Sequence, residues 1–519
     1  MPEMKTNFFL LFSILYLAFD ALGQNQCLDA SFGNAGIVQA TFGNDSIFPK
    51  SIALQQDGKI VVGADIISAQ NRDFIVSRFN ADGSVDTNFG INGNIVWDFS
   101  NSNEYLKKIL IQTDGKILIG GNSMVAGFQK YTFIRLNTDG SLDFTFGLNG
   151  KISHEIDLNS HHFLQDMVIS NTGKIAIVGH TSICCSDEPQ LSIYWNSDII
   201  NYIFFLNTNG DMDSTFSNYG TFQLLSNNYE VINNIALTQN QDIIFTGYRN
   251  GTTWKNIFVG KLHQNGNLDS SFGNNGFTEI SSAPIIIDKQ LFVDENDKIF
   301  VQINAGDNGV YAFNLSKLSN LGAVEINYIS NYVFLFEMIK KNFNTFLSNG
   351  SLINLSDSYN YHDSIYAGDF KLFTLNNQGS LASNVCGQGE IFVDVAPGAE
   401  DQAVDAIMQM DNKFVQLGSS GINKITLIRY LNTVFAGNNE IADKINIAKI
   451  FPNPAAHSLN IKGGSGQIQI VDVLGNNIQT ISVTQNDFNI DVSDYPQGLY
   501  FINLISANKE VFNFKFIKE

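Results

Sequence analysis

Short runs in which apolar and polar residues alternate, broken by Gly, Asn and Asp, fill most of the chain. One stretch displays the whole pattern. Residues 94–99 (Asn94-Ile95-Val96-Trp97-Asp98-Phe99) form a first short strand-like run. A second apolar run ends at Lys108-Ile109-Leu110-Ile111, and Asp114-Gly115 follows it, a pair that tolerates the positive φ of tight hairpin turns. Residues 116–120 give a third strand and 131–137 a fourth, Asp139-Gly140 makes the next turn, and Leu142 to Gly147 carries the chain onward.

This unit repeats. Leu28-Asp29-Ala30-Ser31-Phe32-Gly33 returns as Val85-Asp86-Thr87-Asn88-Phe89-Gly90, as Leu142-Asp143-Phe144-Thr145-Phe146-Gly147, as Met212-Asp213-Ser214-Thr215-Phe216-Ser217 and as Leu268-Asp269-Ser270-Ser271-Phe272-Gly273. The phenylalanines at 32, 89, 146, 216 and 272 are evenly spaced except for one long step, which holds an extra segment around 181–201. A second marker, Asp57-Gly58-Lys59-Ile60, recurs at 114–117 and 172–175, and in weaker form at 241–243, 296–299, 349–352 and 411–414, which makes seven copies. A fixed period of this size means stacked supersecondary units. Four strands per period is the size of a propeller blade, so residues 24–436 are expected to form an all-β, seven-bladed β-propeller. A β-solenoid is the alternative, although solenoid coils are usually shorter.

The two boxes, together with Arg78-Phe79-Asn80 and Arg135-Leu136-Asn137 before the next Asp-Gly, resemble the delta-60 repeat family of bacterial secreted proteins. The likeness is good over the first five units and poor in the sixth. It implies a fold and no established activity.

A polar linker at 437–444 separates the array from a different pattern at 445–519. There Phe451-Pro452-Asn453-Pro454, Ile468 to Gly475 with Asp472, Gly498-Leu499-Tyr500 and Asn513-Phe514-Lys515-Phe516 follow one another. Alternating apolar residues with breaks at Gly and Asn predict a small antiparallel β-sandwich. The order of boxes resembles the type A C-terminal sorting domain of the type IX secretion system of Bacteroidetes. Pro452, Asn453, Pro454, Asp472, Gly475, Gly498, Tyr500 and Lys515 are the residues that carry the likeness. It implies passage through the periplasm, then transfer to the outer-membrane surface or the medium, with the secretion machinery as the partner of this domain.

The N-terminus agrees with that route. Lys5, the apolar run from Phe8 to Phe19 and Ala21-Leu22-Gly23 read as a signal peptide over 1–23, with cleavage before Gln24. No later run reaches the roughly 18 apolar residues of a membrane helix. The net charge is −20, which argues against nucleic acid as a partner, because phosphate binding needs clustered Lys and Arg. Phe 42, Gly 43 and Pro 8 suit pleated strands and tight turns. Four cysteines fit an oxidising compartment. Cys184 and Cys185 are adjacent, whereas Cys27 and Cys386 lie in equivalent segments at opposite ends of the array and are expected to pair across its closure.

Candidate chemistry is sparse. No His-Glu-x-x-His, Gly-x-Ser-x-Gly or phosphate-cradling Gly loop is present. His154, His161 and His162 cluster without an acid or thiol to complete a metal set, and read as solvated loop residues. Asp82 with Asp86, Asp139 with Asp143, and Asn265 with Asp269 recur in register with the turns. That pattern fits turn capping better than a glycosidase pair, which is needed only once. Arg78, Arg135 and Arg429 share one repeat position with Lys261 and Lys317, a structural pattern. Asn207, Asn209, Asp211 and Asp213 place oxygens at alternate positions, as calcium loops do, so calcium is the one cofactor the sequence admits. Individual function is expected on the extra segment, where Tyr194 and Trp195 offer aromatic faces to a ligand. The chain is read as a non-enzymatic, exported binding or adhesion scaffold for a glycan or protein ligand. The alternatives are a secreted polysaccharide hydrolase or lyase, and a structural spacer of the envelope.

Overall fold

The computed structural model describes residues 27–518 except 69–70, 100–101, 183–198, 225–230, 251–254, 284, 295, 308–309, 336–341, 347–351, 360–367, 376–389, 397–400, 412, 422, 432–448, 452–454, 463–465, 472–476, 484–486 and 506–510. All of its regular structure is β, divided between one unit up to Phe435 and a second from Ala436. No helix is long and apolar enough to cross a membrane among the described residues.

Among the described residues of the first unit the strands form seven antiparallel sheets of four. The sheets begin at the strands Ser46–Leu54, Glu104–Ile111, His161–Ile169, Val231–Leu237, Ile285–Val293, Asn342–Phe346 and Asp401–Met408. These seven opening strands contact one another in cyclic order, and the last packs on the first. The ring is therefore closed, the arrangement of a β-propeller.

Each middle strand is covered on both faces by the neighbouring sheets. That is why Ile60–Ile67 and Ile117–Val125 read as nearly continuous apolar runs instead of alternating ones. The core is a series of layers between sheets. Ile52, Ile60 and Val62 of the first sheet, for instance, pack with Val415, Leu417 and Leu427 of the seventh.

The strand order corrects one sequence expectation. The strand at Asn94–Trp97 was expected to open a unit, but it pairs with Arg72–Phe79 and forms the outer edge of the preceding sheet. The Leu-Asp-x-Ser-Phe-Gly box is the reason. Its main-chain bonds fold the chain back: the Asp86 N–H donates to the Arg78 carbonyl, and the Arg78 N–H to the Gly93 carbonyl. The box is thus the loop of a hairpin. Phasing by one strand leaves Ile37–Thr41 without a sheet of its own, and it completes the seventh by pairing with Lys424–Tyr430, Ile37 opposite Ile428. The two ends of the array are joined in a single sheet.

Six of the seven opening strands carry a β-bulge, for example between Leu106 and Lys108. A bulge increases twist. The adjoining middle strands give way to it with small residues: a Cβ on Gly121 would lie 2.3 Å from the Tyr105 carbonyl oxygen, and one on Gly418 2.2 Å from that of Gln402.

The second unit pairs a three-stranded sheet (Lys449–Phe451, Ser458–Lys462, Asp487–Asp491) with a four-stranded one (Asn477–Val483, Gly466–Val471, Gly498–Ile505, Val511–Lys518). Leu459 and Ile490 of the first sheet share one core with Ile468, Ile470, Tyr500, Ile502 and Phe516 of the second. This is the small antiparallel sandwich expected from the alternation. Tyr500 stacks on Phe516 at 5.3 Å, and its hydroxyl donates to the Pro496 carbonyl at 2.8 Å. Gly498 opens the strand Gly498–Ile505, and Lys515 stands opposite Phe501. Pro452, Asn453, Pro454, Asp472 and Gly475 lie outside the described residues.

Candidate functional site

Antiparallel strands place the two kinds of connection at opposite rims of the ring. One rim holds the Asp-Gly-Lys turns and the boxes, and the box recurs in the first four sheets and the seventh. The other holds the connections that differ between sheets.

On the repeated rim the charged side chains are spent on joining sheets. Arg78 lies over the Phe89 ring at 4.3 Å, its Nε donates to Asp86 Oδ2 at 2.8 Å, and its Nη1 donates to the Thr138 carbonyl of the next sheet. Arg135 repeats this with Phe146 at 4.5 Å, Asp143 at 2.6 Å and the Thr208 carbonyl. Arg429 repeats it across the closure, with Phe32 at 4.5 Å, Asp29 at 2.9 Å and the Ala81 carbonyl at 2.5 Å. The box lysines add a second cation: Lys59 to Asp86 at 3.0 Å, Lys116 to Asp143 at 3.2 Å and Lys413 to Asp29 at 3.0 Å. Main-chain bonds run in parallel, from Gly33 N–H to the Asp82 carbonyl and from Gly147 N–H to that of Asn209.

Burial pushes the Asp29 carboxyl up, but the hydrogen bond from Ser31 and the Lys413 and Arg429 charges outweigh it and hold it at about 2. Asp143 is held low in the same way. The other acid of each pair caps its turn: Asp82 accepts from the Ser84 N–H at 2.9 Å, Asp139 from the Ser141 N–H at 2.9 Å, and the Asn265 side chain accepts from the Asn267 N–H at 3.0 Å.

The alternating oxygens at 207–213 belong to this rim and lie in and beside one of its turns. Asn207 N–H donates to the Asp211 carbonyl, and the side chains of Asn209 and Asp211 bond each other at 2.7 Å. Asp213 takes Lys174 at 2.6 Å on one oxygen and Thr215 on the other. Asp213 is the box aspartate of its sheet: it keeps the lysine partner that Asp86 and Asp143 have, while Phe205 stands where they have an arginine.

The other rim is built differently. The longest hairpin connection among the first four sheets runs there from Ser182 to Ile200 and carries Tyr194 and Trp195, which lie outside the described residues, as do Cys184 and Cys185. The strands at its roots are held by a buried polar network. Asp157 Oδ2 accepts from the Tyr202 hydroxyl at 2.7 Å and from Thr181 Oγ1 at 3.1 Å. His162 Nε2 accepts from the Ile156 N–H at 3.0 Å, and its Nδ1 meets the Gln129 carbonyl at 3.2 Å. His161 Nδ1 accepts from the Gln129 N–H at 3.2 Å.

These imidazoles are buried, which corrects the expectation of solvated loop histidines; the reason is that His161 and His162 open the strand His161–Ile169 between two sheets. Burial holds His162 and His180 at about 4, so both are neutral at pH 7. Burial, then the bond to Asp157, pushes the Tyr202 hydroxyl up and keeps it a donor. Nothing in the sequence announced this network, because its members come from three connections with no shared motif.

Cys27 is fully buried and disulfide-bonded. It packs with Phe370, Leu372, Ile391 and Val393 of the sixth sheet, whose strands bracket the segment holding Cys386. Cys386 itself lies outside the described residues.

Comparison with known proteins matches the geometry at both ends of the chain. The profile of the secretion system C-terminal sorting domain matches residues 449–519. That of a β-propeller domain of unknown function, DUF5122, matches residues 55–89 and 112–146. No curated protein matches the chain.

Among solved structures, a catalytically inactive virginiamycin B lyase from Staphylococcus aureus with quinupristin is 10% identical with a TM-score of 0.39, over 76% of this chain and 99% of that one. PorZ, described as an essential bacterial surface component of the type IX secretion system of Porphyromonas gingivalis, is 9% identical with a TM-score of 0.22, over 95% of this chain and 87% of that one. A glucose dehydrogenase is 9% identical with a TM-score of 0.36, over 75% of this chain and 99% of that one. The chain is a β-propeller protein with a sorting domain that directs it through type IX secretion to the cell surface or the extracellular space.

Proposed function

We propose that this exported propeller is a non-catalytic binding and adhesion scaffold, and that its ligand contacts lie on the variable rim at the insertion carrying Tyr194 and Trp195. The observation that carries the reading is the division of labour between the rims. The recurring acids and cations, which would be the raw material of acid–base catalysis, are committed to one another and to carbonyls of adjacent sheets. His162 and His180 are neutral at pH 7, and both nitrogens of His162 are engaged with the main chain. The longest hairpin connection among the first four sheets is rooted in a hydrogen-bonded network instead. A loop fixed at its base loses less entropy on binding than one fixed nowhere.

Aromatic faces with a polar edge suit the apolar faces of sugar rings, so a cell-surface or matrix polysaccharide is the ligand class we assign. The test is a glycan array probed with the mature chain, alongside a turnover assay on the same polysaccharides. Saturable binding without turnover, weakened at least tenfold by Tyr194→Ala with Trp195→Ala, is the expected result. Turnover, or binding indifferent to both substitutions, would overturn the proposal.

A further inference from the structure

The groove between the seventh sheet and the first differs from its counterparts farther round the ring, and the difference is written in the repeat. Residues 37–42, 94–99 and 151–156 occupy the same places in three units, each following its Phe-Gly box. Between the first and second sheets the groove is filled from within. Lys151 places its ammonium group over two rings of the preceding sheet, 4.7 Å from the centre of Trp97 and 5.4 Å from that of Phe99. Between the second and third sheets His154 stands where Trp97 does and packs against Phe204, ring centres 5.6 Å apart.

At the closure these fillers are small. Ala40 takes the place of Trp97 and His154, Asn94 that of Lys151, and Ser77 that of Ile134 and Phe204. Phe42, the counterpart of Phe99, keeps its ring. Between the sheets lies a cavity of about 210 Å³, lined by these four residues together with Thr41 and Asn92.

Its walls are of two kinds. Phe42 and Ala40 are apolar, whereas Thr41, Ser77, Asn92 and Asn94 offer hydroxyl and amide groups. The Ser77 hydroxyl donates to Asn94 Oδ1 at 2.7 Å, and Asn94 Nδ2 donates to the Asn92 carbonyl at 3.0 Å. These bonds orient both side chains and use one of the two Asn94 amide hydrogens. Arg78 borders the cavity, but its guanidinium is committed to Asp86 and the Thr138 carbonyl. No carboxylate is among the described residues that line it. A charged guest would meet no counter-charge here, and a wholly apolar one would leave amides and hydroxyls without partners.

We propose that the cavity at the closure binds one neutral hexopyranose residue, its C–H face on Phe42 and its hydroxyls toward Asn92, Asn94 and Thr41. Sugars combine an apolar face with a polar edge, as these walls do. The volume lies below the roughly 300 Å³ at which sites for larger ligands begin, so it suits a single ring. The site uses neither Tyr194 nor Trp195 and does not rest on the insertion.

The experiment titrates the mature chain with glucose, galactose and mannose, followed by saturation-transfer NMR, with indole as an apolar control. Saturable binding of at least one hexose in the millimolar range is expected. Ala40→Trp with Asn94→Lys transplants the filling of the neighbouring groove. It is expected to weaken binding by about tenfold or more without lowering the melting temperature. Asn92→Ala tests the polar wall with the backbone kept, because Ala35 holds the same place in the repeat at φ 51°, against 52° for Asn92. A loss of about threefold or more is expected there. Tyr194→Ala with Trp195→Ala is expected to change nothing. No saturable response to any hexose, a stronger response to indole, binding indifferent to both closure variants, or binding lost with the insertion variant would overturn the proposal.

Discussion

Arg429 makes the same contacts as Arg78 and Arg135, but the partners come from opposite ends of the chain. Asp29 and Phe32 are near its start, and the Ala81 carbonyl belongs to the first sheet. Replacing Arg429 by Gln leaves Asp29 buried with one cation fewer, a change that costs about 3 kcal/mol or more when a buried pair is broken. Urea unfolding of the mature chain should show that loss for Arg429→Gln, and a comparable one for Arg135→Gln. A change below about 1 kcal/mol in both would mean the pairs are only decoration.

The histidines set a different threshold. His162 and His180 are held at about 4 by burial, against about 6.5 in an unfolded chain. Between those values the unfolded chain binds more protons, so the stability present above pH 6.5 is lost as the pH falls toward 4. The full effect is roughly 3 kcal/mol per histidine. Asp29, held at about 2, adds its own loss only below about pH 4. Melting curves from pH 7 to 4.5 should fall less steeply for His180→Gln than for the unaltered chain. Parallel curves would exclude His180 as a source of the acid sensitivity.

Among the elements, the strand Ile37–Thr41 has the most consequence for its length. It forms the outer edge of the seventh sheet and covers Lys424–Tyr430, whose backbone would otherwise be an open edge. A chain beginning at Phe42 also loses Cys27, Asp29 and Phe32, so a gentler test is Val38→Pro. Proline removes a donor from the ladder and fits poorly within a paired strand. The variant is expected to melt at least several degrees lower and to aggregate sooner, as followed by light scattering; Ile95→Pro, at the same hydrogen-bonded register in the outer strand of an internal sheet, should cost less because no chain ends meet there. Equal effects would deny the closing strand any special role.

The strands and their number per unit were legible because the period-two pattern and the Asp-Gly turns are local. Their partition into sheets was not. Asn94–Trp97 looks the same whether it opens one sheet or closes another, and only the pairing of Ser77 with Asn94 decides. The buried network at Asp157, His162 and Tyr202 was illegible for a related reason: residues far apart in sequence meet at one rim, and none has a partner at repeat spacing.

At the scale of the whole molecule, the ring is closed by backbone pairing and by the Arg429 cluster, and Cys27 beside them is disulfide-bonded. The bonded state of Cys27 and its packing against the sixth sheet favour Cys386 as the partner over Cys184 and Cys185, which belong to an insertion in the third. A bridge between residues so far apart in sequence removes much of the freedom of the unfolded chain, on the order of 6 kcal/mol in the loop-entropy treatment. It also forms only where thiols are oxidised, on the export route that the sorting domain specifies. A 27–386 bridge would couple folding to destination: a chain kept in the cytoplasm is expected to assemble the ring without that covalent tie. Peptide mapping of non-reduced mature protein should find the 27–386 pair. Cys386→Ser should expose one alkylatable thiol at Cys27 and lower the melting temperature, whereas Cys184→Ser should leave Cys27 protected. A Cys27 that stays protected in Cys386→Ser would place its partner in the insertion and make the closure one of backbone and charge alone.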